Sequence, residues 1–138
     1  MNDSLIAEVL TSARTIALVG ASDKPDRPSY RVMAFLLDQG YRVIPVSPKV
    51  AGKTLLGQQG YASLAEVPEQ IDMVDVFRHS EAALEVAREA VAVGAKTLWL
   101  QLGVINTDAQ ALARQAGMNV IMDRCPAIEI PRLGIARK

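Results

Sequence analysis

Short apolar runs recur along the chain at residues 16–19, 43–46, 73–77, 97–102 and 119–122. Each is of strand length, and none alternates polar and apolar positions, as expected of strands buried on both faces. Between them the spacing turns helical. Met33, Leu36 and Leu37 share one helix face. Leu84, Ala87 and Val91, with Ala83 and Ala90, share another, and Ala109, Leu112, Ala113 and Ala116 follow an i, i+3, i+4, i+7 pattern. Thr107 with Gln110 reads as a capping box, and Ser80 as an N-cap. Gly40, Gly94 and Gly117 each follow a helix and precede a strand core by three residues, where a left-handed cap is wanted.

The helix–Gly–strand phrase, used three times, predicts strand–helix–strand units and a parallel sheet. Right-handed crossovers leave few arrangements, and the simplest is a doubly wound, five-stranded, Rossmann-like α/β sheet in the order 3-2-1-4-5. Residues 51–68 read as a loop with a short helix near 64–67. No linker or low-complexity tract interrupts the 138 residues, so residues 1–138 are expected to form a single domain.

Composition narrows the possibilities. Half the residues are hydrophobic but only 4% are aromatic, the Ala, Val, Leu and Ile diet of covered parallel sheets. Fifteen basic residues balance fifteen acidic ones, which argues against nucleic acid or an anionic membrane as partner and makes any anion recognition local. Residues 1–14 are amphipathic but too short and polar for a signal peptide or a membrane span. The single cysteine, Cys125, fits a reducing, cytoplasmic setting.

The chemistry concentrates at strand ends. The first run enters Gly20-Ala21-Ser22, a turn of the kind that presents a helix N-terminus to phosphate. The glycine fingerprint of dinucleotide sites breaks after Gly20, because its next positions are Ser22 and Pro25. The loop offers Ser22, Lys24, Arg27 and Ser29 instead, with a helix opening near residues 29–31. A plain solvated loop, with Gly20 serving only the turn, is the alternative. After the second run, Ser47 and Lys49 stand where NAD-binding folds place an acid for the ribose. A lysine there suits a ribose phosphomonoester, found in NADP and in coenzyme A but absent from NAD.

Phe77 and Arg78 follow the third run and could flank an adenine or pair with a phosphate, while Gly103 after the fourth permits close backbone approach. Trp99 reads as core. His79, the lone histidine, has no titratable partner at useful spacing, and Cys125 has no base beside it, so no catalytic constellation is expected. One Cys and one His make no typical metal site, and no Walker lysine is present.

The run Ile16-Ala-Leu-Val-Gly-Ala-Ser22, the segments Pro45-Val-Ser-Pro-Lys49 and Asp72-Met-Val-Asp-Val-Phe-Arg78, and the stretches from Ala95 to Val104 and Met122 to Pro126 occur in the order seen in small CoA-binding proteins. The chain resembles that family, which is similar to the nucleotide-binding N-terminal domain of the succinyl-CoA synthetase alpha subunit. The resemblance spans roughly residues 14–133. It implies coenzyme A or acyl-CoA as ligand, with contacts from Gly20, Ala21, Ser22, Lys49, Phe77, Arg78 and Gly103. Arg27 and Ser29 join this set from the loop reading, and Ser47 from its place beside Lys49. The synthetase's phosphorylated histidine has no counterpart, so the resemblance carries binding and fold but not the reaction.

The expected function is thus a stand-alone CoA-binding protein, not an enzyme on its own, with an apolar path for the pantetheine arm near residues 104–105. Two alternatives stand beside it. An NADP-dependent oxidoreductase shares the Lys49 argument but lacks the glycine pattern and a proton donor. A nucleotide-sensing regulatory subunit would carry a protein partner on an exposed apolar face, with the helix in residues 1–10 as one candidate.

Overall fold

The structure, a computed structural model, describes residues 2–138. In chain order the first elements are α1 (Asp3–Ser12), β1 (Thr15–Val19), α2 (Pro28–Asp38), β2 (Arg42–Val46) and a hairpin of β3 (Thr54–Leu55) and β4 (Gln58–Gln59). There follow β5 (Met73–Val76), α3 (Ala83–Ala92), β6 (Thr97–Leu100), α4 (Thr107–Gln115), β7 (Asn119–Ile121) and α5 (Pro126–Arg132). The five apolar runs form one parallel sheet, as their lack of alternation predicts.

The strand order differs from the expected 3-2-1-4-5. It is β2-β1-β5-β6-β7, so the third long strand pairs with the first, and β2 lies at an edge. Pro45 explains why. Its carbonyl accepts from the Tyr61 N–H on the outer side of β2, so its missing N–H falls on that side too. A proline in a strand is tolerated where the N–H would face away from the sheet. Residues 51–72 then carry the chain back across β1 to start β5.

Two apolar layers cover the sheet. Ile16, Leu18, Met73 and Trp99 point towards α1, α2 and α5, with Ile6, Leu10, Met33, Leu36 and Ile130. Ala17, Val74, Leu98 and Leu100 point towards α3 and α4, against Val86, Ala87, Ala109 and Ala113. The amphipathic N-terminal helix spends its apolar face here: Ile6, Val9 and Leu10 are buried. It is therefore not an exposed contact surface over residues 2–10; Met1 lies outside the described residues.

Local expectations fare unevenly. Gly40, Gly94 and Gly117 all adopt positive φ, as caps require. The cap of α4 is Asn106, whose Oδ1 accepts from the Ala109 N–H at 2.9 Å, so Thr107 is the first helical residue rather than the cap. Ser80 opens a short 3-10 turn ahead of α3 and caps nothing; its side chain reaches across to the next loop. A 3-10 turn at Leu64–Glu66 matches the short helix foreseen there, but the β3–β4 hairpin does not appear in the sequence reading. Its turn is Leu56-Gly57, both at positive φ. Leucine is rare at such a position, where Asn or Asp before Gly would have announced the turn.

Candidate functional site

A cleft of about 1070 Å³ opens along the carboxyl ends of the strands. Gly20, Ala21, Ser22, Arg27, Ser29, Ser47, Lys49, Phe77 and Arg78 all line it. The structure thus brings together every expected site residue except Gly103. Open α/β sheets offer such a crevice where neighbouring connections leave towards opposite faces. Here that point falls between β1 and β5, whose following helices α2 and α3 cover different sides.

Gly20 is fixed by packing. It sits at φ +93°, and a Cβ there would lie 2.2 Å from the Phe77 carbonyl oxygen, so only glycine lets the end of β1 pass that of β5. The Gly20 and Ala21 N–H groups both point at the Val46 carbonyl, at 2.9 and 3.4 Å. They tie the turn to β2 and are not open to a ligand. The open donors lie further along. Among the described residues the Ser22 and Asp23 N–H groups make no hydrogen bond, and Arg27 caps α2 without a side-chain bond. Pro28 at the first helical position has no N–H to satisfy, and Ser29, buried at the next, faces the cleft.

The second loop is a tight turn. The Val50 N–H donates to the Ser47 carbonyl at 3.1 Å, and the Ser47 hydroxyl accepts from the Lys49 N–H at 3.2 Å. These bonds leave the Lys49 side chain exposed at the cleft's edge. Lys24, Arg27, Lys49 and Arg78 all border the cleft, against two carboxylates, Asp23 and Glu89. None of the four cations enters an ion pair among the described residues, whereas Arg42, Arg88, Lys96, Arg124, Arg132 and Arg137 all do. Four cations free of ion pairs among the described residues thus border one opening, which favours an anionic ligand.

The other end is built differently. Gln101, Leu102, Val104 and Cys125 line it. Gly103, the outlier, does not line the cleft. Its N–H donates to Asp123 Oδ1 at 2.8 Å and its carbonyl accepts from the Ser80 hydroxyl at 3.2 Å, so its backbone is already engaged. Its φ of +80° serves the turn. Trp99 is wholly buried, with its indole N–H on the Arg124 carbonyl at 2.8 Å, as a core residue.

Under this floor lies Asp75, a carboxyl with no solvent exposure. In the amide orientation that satisfies both groups, Gln101 donates to Asp75 Oδ1 at 2.9 Å and Oδ2 at 3.3 Å. Burial pushes the Asp75 carboxyl well above the ordinary aspartate range, towards the protonated form. Sequence reasoning passed over Asp75, although an acid inside the apolar run Met73-Val-Asp-Val76 was a visible signal. It also missed Ala62 and Ser63, which line the cleft because the hairpin returns the chain to bridge Tyr61 with Val46. His79 borders the cleft with no titratable partner beside it in the hydrogen-bond network, and no group of three or more metal-ligating side chains occurs among the described residues. Among the described residues, no helix is long and apolar enough to cross a membrane.

Known proteins resemble this chain in sequence and in fold. A Bacillus subtilis protein, "Uncharacterized protein YneT", is 41% identical over 120 residues, 87% of each chain. A solved structure, "hypothetical protein from Pyrococcus horikoshii OT3", superposes with a TM-score of 0.91 at 39% identity, covering 96% of this chain and 92% of that one. The alpha subunit of an ADP-forming acetate–CoA ligase from Pyrococcus furiosus is 28% identical over 95 residues, which is 66% of this chain but only 21% of that subunit. Residues 14–131 match the model of a family described as "CoA binding domain", from the approach to β1 almost to the end of α5. The chain belongs to that CoA-binding family.

Proposed function

We propose that this protein binds coenzyme A in the carboxyl-edge cleft. The observation that carries the reading is a set of four cations, Lys24, Arg27, Lys49 and Arg78, that border the cleft with no ion pair among the described residues, in a chain without net charge. Family membership and the CoA-ligase relative support the same ligand. In this reading the ribose phosphate lies against Lys49 and Ser47. The pyrophosphate lies at the open N–H groups of Ser22 and α2, between Arg27 and Ser29. Phe77 and Arg78 flank the nucleotide, and Gly20 and Ala21 shape the turn beneath it. The pantetheine arm runs towards Gln101, Val104 and Cys125, where its amides meet a polar side chain and its methylenes an apolar wall.

Calorimetric titration with CoA, 3′-dephospho-CoA, NADP and NAD, repeated on Lys49→Ala, tests this. A charge-assisted contact to phosphate is worth about 1.5–3 kcal/mol. CoA is therefore expected to bind best, and loss of either the 3′-phosphate or the lysine to weaken it about tenfold or more. Binding of NADP without CoA would overturn the reading in favour of an oxidoreductase cofactor.

A further inference from the structure

The loop Gln101–Asn106 holds the most conspicuous feature that CoA binding leaves unexplained. Three large hydrophobic residues stand exposed among those described: Leu102 at 54%, Ile105 at 51% and Ile128 at 50%. All three lie at the β6–β7 end of the carboxyl edge. Leu102 and Ile105 sit in the loop after β6, and Ile128 lies three residues after Cys125, which lines the cleft.

Their exposure is not slack. The Val104 N–H closes a tight turn on the Gln101 carbonyl at 2.9 Å, with Leu102 and Gly103 at its tip. Asp123 holds the turn from one flank through the Gly103 N–H. Ser80 holds it from the other, donating to the Gly103 carbonyl and accepting from the Ile105 N–H at 3.0 Å. Asn106 Nδ2 adds a bond to the Ser80 carbonyl at 2.9 Å. Asp123 takes a φ of +61° in doing so, a conformation that costs an L-residue energy. A loop fastened at this many points, one of them strained, presents its two apolar side chains to water as a fixed lip.

That lip continues the cleft, because Leu102 belongs to both. It also stands across β5 from Lys24, Arg27 and Lys49, which border the cleft after β1 and β2. A thioester of CoA has the same polarity: phosphates at one end, an amide-bearing arm between, and the acyl group at the other. We propose that the lip formed by Leu102 and Ile105 seats the acyl chain, and that the ligand class is the aliphatic acyl-CoA thioesters rather than free CoA. The inference rests on the CoA reading and adds the identity of the acyl end.

The test is an affinity series: CoA, acetyl-CoA, butyryl-CoA and hexanoyl-CoA on the full chain and on a Leu102→Ser, Ile105→Ser variant, with thermal melting to confirm that the variant folds. Affinity is expected to climb along the series, with hexanoyl-CoA about tenfold or more tighter than acetyl-CoA as methylenes leave water. The variant should flatten that climb. A flat series on a protein that does bind CoA overturns this inference alone. Failure of every member to bind overturns the CoA reading and this with it. A flat series in which the variant changes the sedimentation of the protein from dimer to monomer would overturn it in favour of a contact between copies of the chain.

Discussion

The two ends of the cleft solve different problems with the same kind of scaffold. At the β1–β2 end, backbone is anchored to backbone and side chains are left free: Gly20 and Ala21 bond to Val46, while Lys49 and Arg27 find no acidic partner. At the β6–β7 end, side chains anchor the backbone: Ser80 and Asp123 fasten the Gly103 turn, and the free surface is the hydrocarbon of Leu102 and Ile105. What is left unsatisfied tells the ends apart. Unpaired charge asks for phosphate and uncovered hydrocarbon for an apolar chain, and neither shows in a net charge of zero.

The harshest way to break the comparison is at the seam between the ends. Gly20→Ala would drive a Cβ to within 2.2 Å of the Phe77 carbonyl at a φ of +93°. Backbone must move on β1 or β5, and the cost is expected to be about 3 kcal/mol or more. Urea denaturation should show the loss, and binding at both ends should fall together.

A gentler cut separates them. Lys49→Ala with Arg78→Ala removes two cations from different loops. At about 1.5 kcal/mol each, and additive if the sites act independently, affinity for CoA is expected to fall roughly a hundredfold. The ratio of hexanoyl-CoA to acetyl-CoA affinity should stay unchanged. A shift in that ratio, measured by the same calorimetry, would mean that the ends are coupled and the contrast is false.

Much of this was legible beforehand, and the misses share a cause. The five strands, their parallel pairing and the cationic end follow from local pattern: unbroken apolar runs, glycine caps, and loops that must emerge on one edge. The order of strands depends on which side of β1 the chain returns to, a long-range choice. The one local marker of it was Pro45, which belongs on an edge and would have excluded an interior place for the second strand. Gly103 was read as an approach point for ligand because its conformational freedom is visible in sequence, whereas the partners that occupy its N–H and carbonyl lie 20 and 23 residues away. Asp75 and Gln101 meet only through the register of β5 with β6, which no pattern along the chain encodes.

The floor between the ends gives a smaller, pH-dependent effect. Asp75 keeps its proton in the folded chain at pH values where the unfolded chain, near its ordinary 3.8, has released it. The native state then binds more protons, so stability falls as pH rises from about 4 up to the folded-state titration, and the full cost is present above it. Asp75→Asn preserves the shape and a bond to Gln101 while removing the charge. Its melting temperature is expected to exceed that of the parent by roughly 2–6 °C at neutral pH, with the gap closing towards pH 4. An equal gap at both pH values would remove Asp75 as the titrating group.

The smallest expected effect tests what makes the lip a lip. Ser80→Ala deletes one hydroxyl and with it the bonds to the Gly103 carbonyl at 3.2 Å and the Ile105 N–H at 3.0 Å. Both partners are near solvent, so water replaces the hydroxyl and the cost to stability should be about 1 kcal/mol or less. The loop, however, loses the ties made by the Ser80 hydroxyl, while Asp123 and the bond from Asn106 Nδ2 to the Ser80 carbonyl remain. Amide exchange at Ile105 should quicken, and the preference for hexanoyl-CoA over acetyl-CoA should shrink about two- to threefold, since an apolar surface that must be ordered on binding returns less affinity than one already held. Unaltered exchange at Ile105 would show that Asp123 and Asn106 hold the turn without the Ser80 hydroxyl, and the asymmetry between the two ends would then rest on those two residues.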